Sequence, residues 1–358
     1  MTDIKVAFWN LQNLFDITAS PIAADMEFTP AHGWTQAALD AKINNLAQII
    51  NLMHGGQGPD LLGICEIENE ALVNRLIAAT GRTDLKVAAY QDSPDIRGID
   101  VSLIYSDRVF QQDQGAASHL VHLRYPTRDI FEVPLTVKAN QAKLRVLVNH
   151  WPSRRQGRWE TEPLRITVAE HCGRLIDQYL KLKRDDFLAL PNTPASLTHL
   201  NTLWNRNVIV MGDFNDEPFD RSLLEYLQAT KDLDLLEEAI KKGSGGNQIP
   251  TAKTYLGKKA YLFNCMWASL GQSDTGSFYF GGDQDTPKPS HTMNLLDQFI
   301  ISRGLYYGEQ GLKLNLPSVE IFTPPMMTTP SGRPRPFDRH TKKGYSDHFP
   351  IQCVIQIV

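Results

Sequence analysis

The chain has 358 residues, of which 42% are hydrophobic and 21% charged, the proportions of a folded protein in water. Its 36 basic and 40 acidic residues leave a net charge of −4, so no overall field draws it to nucleic acid or to an anionic membrane, and any polyanion site must be local or use a metal. Cys65, Cys172, Cys265 and Cys353 are widely spaced and form no Cys-x-x-Cys pair, which excludes a disulfide framework and a zinc ribbon.

Residues 4–9 alternate in polarity and predict a strand ending at Asn10. Residues 17–34 are irregular and predict a surface insertion. From 35 to 53, apolar residues recur at helical spacing, and the run Gly55-Gly56-Gln57-Gly58-Pro59 ends the helix. A buried strand over 60–65 ends in Glu66, followed by a short helix through Leu72 and Leu76, closed by Gly81. Arg97-Gly98-Ile99-Asp100 leads into a strand over 101–105; further strands are predicted at 131–137 and 144–149, the second ending at His150. Pro163 suits the first turn of the next helix. Residues 183–205 are expected to be a loop excursion. The strand Asn207-Val208-Ile209-Val210-Met211-Gly212 ends in Asp213-Phe214-Asn215, and alternation places Asp213 and Asn215 on one face and Phe214 on the other. A helix is expected over 222–229, loops and short strands over 241–289, a strand over 295–301 and a last strand over 351–358. No internal repeat and no long polar linker interrupts the chain, so a single domain over 1–358 is expected. No segment approaches the roughly 20 apolar residues that span a bilayer. The N-terminus runs into a strand without a basic and apolar leader, so a cytoplasmic protein is expected.

Five strand ends therefore carry polar residues of a limited kind: Asn10, Glu66, His150, Asp213 with Asn215, and Asp347 with His348. Asp297 is a sixth, set among Leu296, Phe299 and Ile300. A lone carboxylate buried there costs several kcal/mol, and a histidine is its natural partner. Carboxylates with an asparagine are hard oxygen donors suited to Mg²⁺ or Mn²⁺. Two histidines without clustered cysteine do not favour zinc.

These motifs resemble the endonuclease/exonuclease/phosphatase superfamily nearly end to end. Gly212-Asp213-Phe214-Asn215 and Ser346-Asp347-His348 are the most specific, and Glu66-Ile67-Glu68-Asn69 and Asn149-His150-Trp151-Pro152-Ser153-Arg154 are similar to its bacterial nuclease-like branch. The resemblance implies an α/β (α+β) fold, a four-layer α/β/β/α sandwich of two mixed β-sheets flanked by helices. It implies a phosphoester hydrolase with Glu66 as principal metal ligand and Asn10 and Asp347 nearby. Asp213 would activate the attacking water, with Asn215 holding it. His348, paired with Asp297, and His150 would contact the scissile phosphate. Cys65 stands where a glutamine often precedes the metal-binding glutamate, and Gln12 where abasic-site endonucleases carry an aspartate.

Two basic stretches flank these motifs, one from Arg154 and Arg155 to Arg158 and the other from Arg333 to Lys343. Arg154, Arg155 and Arg97 are candidate substrate-binding residues, and Trp151 and Trp159 are candidate stacking platforms for bases. The leading expectation is a Mg²⁺- or Mn²⁺-dependent phosphodiesterase acting on nucleic acid, with DNA ahead of RNA. The alternatives are a small-molecule phosphatase or phosphodiesterase (inositol phosphate, nucleotide or phospholipid head group) and a non-catalytic binding module on the same fold.

Overall fold

The computed structural model describes residues 3–18, 27–124, 126–240, 249–271, 275–280 and 292–358. The chain runs through β1 (Asp3–Leu14), α1 (Gln36–Gly56), β2 (Leu61–Ile67), α2 (Glu70–Thr80), β3 (Leu85–Val87), β4 (Asp100–Ser106), β5 (Phe110–Gln112) and β6 (Ala117–His119). It continues with β7 (Ile130–Val137), β8 (Lys143–His150), α3 (Arg158–Leu180), α4 (Arg184–Leu188), α5 (Pro194–Trp204), β9 (Asn207–Asp213) and β10 (Ala229–Thr230). Then come α6 (Ala252–Gly257), β11 (Leu262–Asn264), β12 (Phe278–Phe280), β13 (Thr292–Asn294), β14 (Asp297–Ile301), α7 (Arg303–Tyr307), β15 (Leu312–Ile321) and β16 (Ile351–Ile357).

Among the described residues, one large sheet has the order β15-β16-β1-β2-β4-β3. The other has the order β10-β11-β14-β9-β8-β7-β5, with β6 beside β7. Both mix parallel and antiparallel pairs. Alternation along the strands sorts the apolar residues into three layers. Val6, Phe8, Leu103, Val133, Val146, Met211 and Ile355 belong to the core between the sheets. Ala7, Trp9 and Ile64 turn outward onto α1 and α2, and Leu147, Val210 and Phe214 onto α3 and α5. The expected four-layer sandwich is therefore present. The sheets press close at Gly63, where a Cβ would stand 2.6 Å from Met211 Sδ and 2.9 Å from the Phe8 ring.

Topology explains why distant motifs meet. β1 and β2 are parallel across the α1 crossover, so Asn10 and Glu66 emerge at one end. β8 and β9 are likewise parallel, with His150 in register with Asp213. β14 is antiparallel to β9, and its first residue, Asp297, lies opposite Asp213. β16 is antiparallel to β1, so the Asp347-His348 segment before it returns to the same rim. Gly212 lies beside Asn149, and a Cβ there would meet the Asn149 carbonyl at 2.3 Å. That contact requires glycine before Asp213.

Several sequence expectations need correction. Residues 183–205 hold two helices rather than a loop: Thr193 caps α5 and Pro194 occupies its first turn. α3 begins at Arg158, so Pro163 lies inside the helix; the Arg165 guanidinium donates to the Arg158 carbonyl at 2.8 Å. The expected 222–229 helix is one short π-helical turn, Ser222–Tyr226, followed by β10. α6 replaces part of the expected loop at 241–289, and residues 241–248, 272–274 and 281–291 of that stretch lie outside the described residues. The same is true of 19–26 within the insertion expected at 17–34. No helix among the described residues is long and apolar enough to cross a membrane.

Candidate active site

The rim where these strand ends converge holds a connected set of polar side chains. His348 Nδ1 and Asp297 Oδ2 are 2.7 Å apart, and both residues are buried. The predicted partner of Asp297 is therefore in place. Ser277 Oγ accepts from the Asp297 backbone N–H at 3.1 Å, Trp9 Nε1 donates to the His348 carbonyl at 2.9 Å, and the Phe278 ring packs over the imidazole. His348 Nε2 points toward Asp213 Oδ2 at 3.8 Å. Burial alone would lower the imidazole pKa, but the charge and hydrogen bond of Asp297, with Asp213 and Asp347, outweigh it and push it up to about 10.

Asp213 accepts from Asn10 Nδ2 at 3.1 Å through Oδ2 and from the Asn215 backbone N–H at 2.9 Å through Oδ1. Burial pushes its carboxyl up to about 7; the His348 charge opposes the shift, while Asp297 and Glu66 add to it. Phe214 packs outward as expected, but Asn215 does not continue the strand. Its φ is 50°, and its amide donates to the Trp151 carbonyl at 3.0 Å.

His150 Nε2 lies 3.7 Å from both Glu66 Oε1 and Asp213 Oδ2, beyond hydrogen-bond range. Burial holds this imidazole well below its usual pKa, and Arg128, Arg97, His348 and Arg155 add to the shift, so the ring is neutral. Glu66 Oε2 accepts from the Asn13 N–H at 2.9 Å. Burial raises the Asp347 carboxyl, with the Glu66 charge adding to it and His348 and Lys42 opposing. Ser346 Oγ donates to the Asn10 carbonyl at 2.7 Å and accepts from the His348 N–H, which ties this segment to β1.

The backbone here is strained. Gln12 (φ 53°), Asn13 (57°), Glu66 (61°) and Asn215 (50°) all lie in the left-handed region. Each such residue costs on the order of 1–3 kcal/mol, a cost that surrounding contacts must offset. Register shifts at the ends of β1 and β2 accompany them. Periodicity carries no signal for such bulges.

The flanking candidates divide. Arg155 is exposed, and Arg97 donates to Asn13 Oδ1 at 2.6 Å. Arg154 and Trp151 are not placed for substrate. Arg154 is buried and ion-paired with Asp216 at 3.2 Å and Asp220 at 2.7 Å, and its Nε donates to the Asn215 carbonyl. Trp151 is fully buried edge-on against Phe214 and donates to Asn149 Oδ1, so no base reaches it. Both follow a strand whose outward face packs beneath α3, and an apolar or salt-bridged layer there needs them. Trp159 is exposed. Sequence reasoning missed Arg128, which pairs with Asp95 at 3.2 Å and donates to the Trp151 carbonyl at 2.8 Å. It also missed Lys42, although a charged residue between Leu39 and Leu46 on the apolar stripe of α1 was a readable signal.

Asn10, Glu66 and Asp347 fit a divalent ion by donor chemistry, since all three offer oxygen. Charge agrees. Glu66, Asp213, Asp297 and Asp347 crowd one rim, and burial and mutual repulsion hold the Asp213 and Asp347 carboxyls above their ordinary values, a shift that a bound cation would oppose. Asp213, Asp297 and His348 also have potential ligand atoms within 4.8 Å of one another. There, however, His348 Nδ1 and Asp297 Oδ2 already bind each other, which suits proton handling better than metal binding.

Two facing mixed sheets with an acid–histidine rim form the scaffold of a phosphoester hydrolase. The sequence matches the Endonuclease/Exonuclease/phosphatase family over residues 5–190 and 195–357, and the chain belongs to that family of hydrolytic enzymes. Among solved structures, it resembles an endonuclease/exonuclease/phosphatase from Bacteroides vulgatus (12% identity, TM-score 0.53, 100% of both chains covered). It also resembles a functionally unknown conserved protein from Enterococcus faecalis V583 (11%, 0.52, 99% of this chain and 100% of that one). A third likeness is D. rerio TDP2 complexed with single-strand DNA product (12%, 0.51, 99% of this chain and 100% of that one). These likenesses concern the fold. No curated protein matches the sequence.

Proposed function

We propose that this single catalytic domain is a Mg²⁺- or Mn²⁺-dependent phosphodiesterase acting on DNA. The observation that carries the reading is the Asp297–His348 pair set against Asp213. The environment splits their proton affinities, so that one group stays protonated while its neighbour, raised to about 7, is poised to accept a proton. Asp213 takes the proton of the attacking water, and the Asn10 amide and the Asn215 N–H fix its carboxylate. His348, locked by Asp297, stabilises charge on the phosphoryl oxygens, and neutral His150 donates from the other side. Glu66, Asn10 and Asp347 would hold the metal ion, which when bound neutralises the phosphate charge that resists attack.

DNA is favoured over a small phosphoester by Arg155, exposed after His150, and by exposed Arg335, Lys342 and Lys343 in the stretch before Asp347. The D. rerio TDP2 of similar fold was solved with a DNA product. The test is nicking of supercoiled plasmid with Mg²⁺, Mn²⁺ or EDTA, beside p-nitrophenyl phosphate, bis-p-nitrophenyl phosphate and inositol phosphates, with Asp213→Asn as blank. Metal-dependent nicking absent from the blank is expected. Inert DNA beside a hydrolysed small phosphoester would overturn the DNA assignment, and inertness toward every substrate would overturn the hydrolytic one.

A further inference from the structure

Lys42 is 2% exposed, an unusual state for a lysine in the middle of a helix. Its ammonium lies 5.7 Å from the Trp34 ring centroid and 5.4 Å from that of Phe337. Among the described residues its hydrogen bond goes to the Gln12 carbonyl. Gln12 and Asn13 form the left-handed bulge at the end of β1. Each end of that bulge holds a metal-site candidate. The Gln12 N–H donates to Asn10 Oδ1 at 2.9 Å, and the Asn13 N–H donates to Glu66 Oε2 at 2.9 Å. Gln12 Oε1 in turn accepts from the Phe337 N–H at 2.8 Å, closing the box around the ammonium.

We infer that Lys42 is a positioning residue for metal binding: its buried ammonium fixes the Gln12 carbonyl, and with it the bulge that orients Asn10 and Glu66. The inference rests on the assignment of those two residues as metal ligands. Two effects of the charge oppose each other. A cation beside Glu66 and Asp347 competes with a bound metal, whereas pinning a strained bulge preorganises the ligands. The direct hydrogen bond is to the carbonyl rather than to either carboxylate, so pinning dominates. Burial lowers the Lys42 pKa to about 7 against the pull of Asp347 and Glu66.

The test is calorimetric titration of Mg²⁺ and Mn²⁺ into the full chain without substrate. Lys42→Met keeps the volume and removes the donor. Its metal Kd is expected to rise about tenfold, while circular dichroism is unchanged and the thermal midpoint falls modestly, since the Gln12 carbonyl is left buried without its donor. A Kd within twofold of wild type in folded Lys42→Met overturns the inference. If Lys42→Met does not fold, Lys42→Gln, too short to reach the carbonyl, is expected to show the same tenfold rise, and an unchanged Kd there overturns it equally. Wild type that binds neither ion would instead sink the functional reading beneath it.

Discussion

Two buried clusters of charge sit side by side at the same rim, and they are built on opposite plans. In one, Arg154, Arg158 and Arg165 meet Asp216, Glu217 and Asp220, with contacts such as Arg165 to Asp216 at 2.8 Å. Cations and carboxylates balance there, and most of the polar atoms are used within the cluster. In the other, Glu66, Asp213, Asp297 and Asp347 outnumber their cations, and His150 faces two carboxylates without touching either. The balanced cluster braces the loops after β8 and β9. The unbalanced one leaves its carboxylates facing one another and the His150 ring out of hydrogen-bond reach. Buried charge by itself therefore does not mark a functional site; uncompensated buried charge on a strained backbone does.

The contrast can be broken by substitution, and the largest effect is expected at Asp213. Asp213→Asn should lower kcat by about 10²- to 10⁴-fold, while thermal melting stays near wild type because the shape is kept. His348→Ala should lose comparable activity and also destabilise by about 3–5 kcal/mol, because Asp297 is left buried and unpaired. Urea denaturation in EDTA gives that difference. The sign of its pH dependence follows from the raised histidine. Stabilisation is full below the free-histidine value of about 6.5 and is lost as pH rises through about 10, so wild type and His348→Ala should converge toward pH 10.

Glu66→Gln should raise the Mg²⁺ concentration for half-maximal activity by about 10–100-fold. Arg154→Met should instead lower stability by a few kcal/mol and leave the metal requirement unchanged; a shifted metal requirement would erase the distinction between the two clusters. The smallest effect belongs to Arg155→Ala, which should weaken DNA binding slightly and reduce the magnitude of the salt slope by about one. An unaltered slope would remove exposed Arg155 from the substrate path.

The sequence made the central strands legible because buried apolar runs ending in Asn10, Glu66, His150 and Asp213 carry both a structural and a chemical signal. The Asp297–His348 pair was legible for a sharper reason: a carboxylate inside an apolar strand demands a partner. What was not legible lies off the strands. Trp151 and Arg154 read as surface residues because a motif after a strand looks like a loop, and only packing beneath α3 shows them to be interior. The Gln12–Asn13 bulge was invisible because a left-handed pair of non-glycine residues is imposed by tertiary contacts against local preference. β15 escaped notice because an edge strand with one face toward solvent and Pro317 within it leaves a weak apolar pattern.

The contact between Gly63 and Met211 has a kinetic meaning. Glu66 rides on one sheet and Asp213 on the other, so the distance between these carboxylates is set by the spacing of the two sheets, and the apolar filling between them is its gauge block. A single methyl group at Gly63 must displace the Met211 side chain and the Phe8 ring. Such a change would press on the spacing of the two carboxylates from inside the core, without touching any residue at the rim.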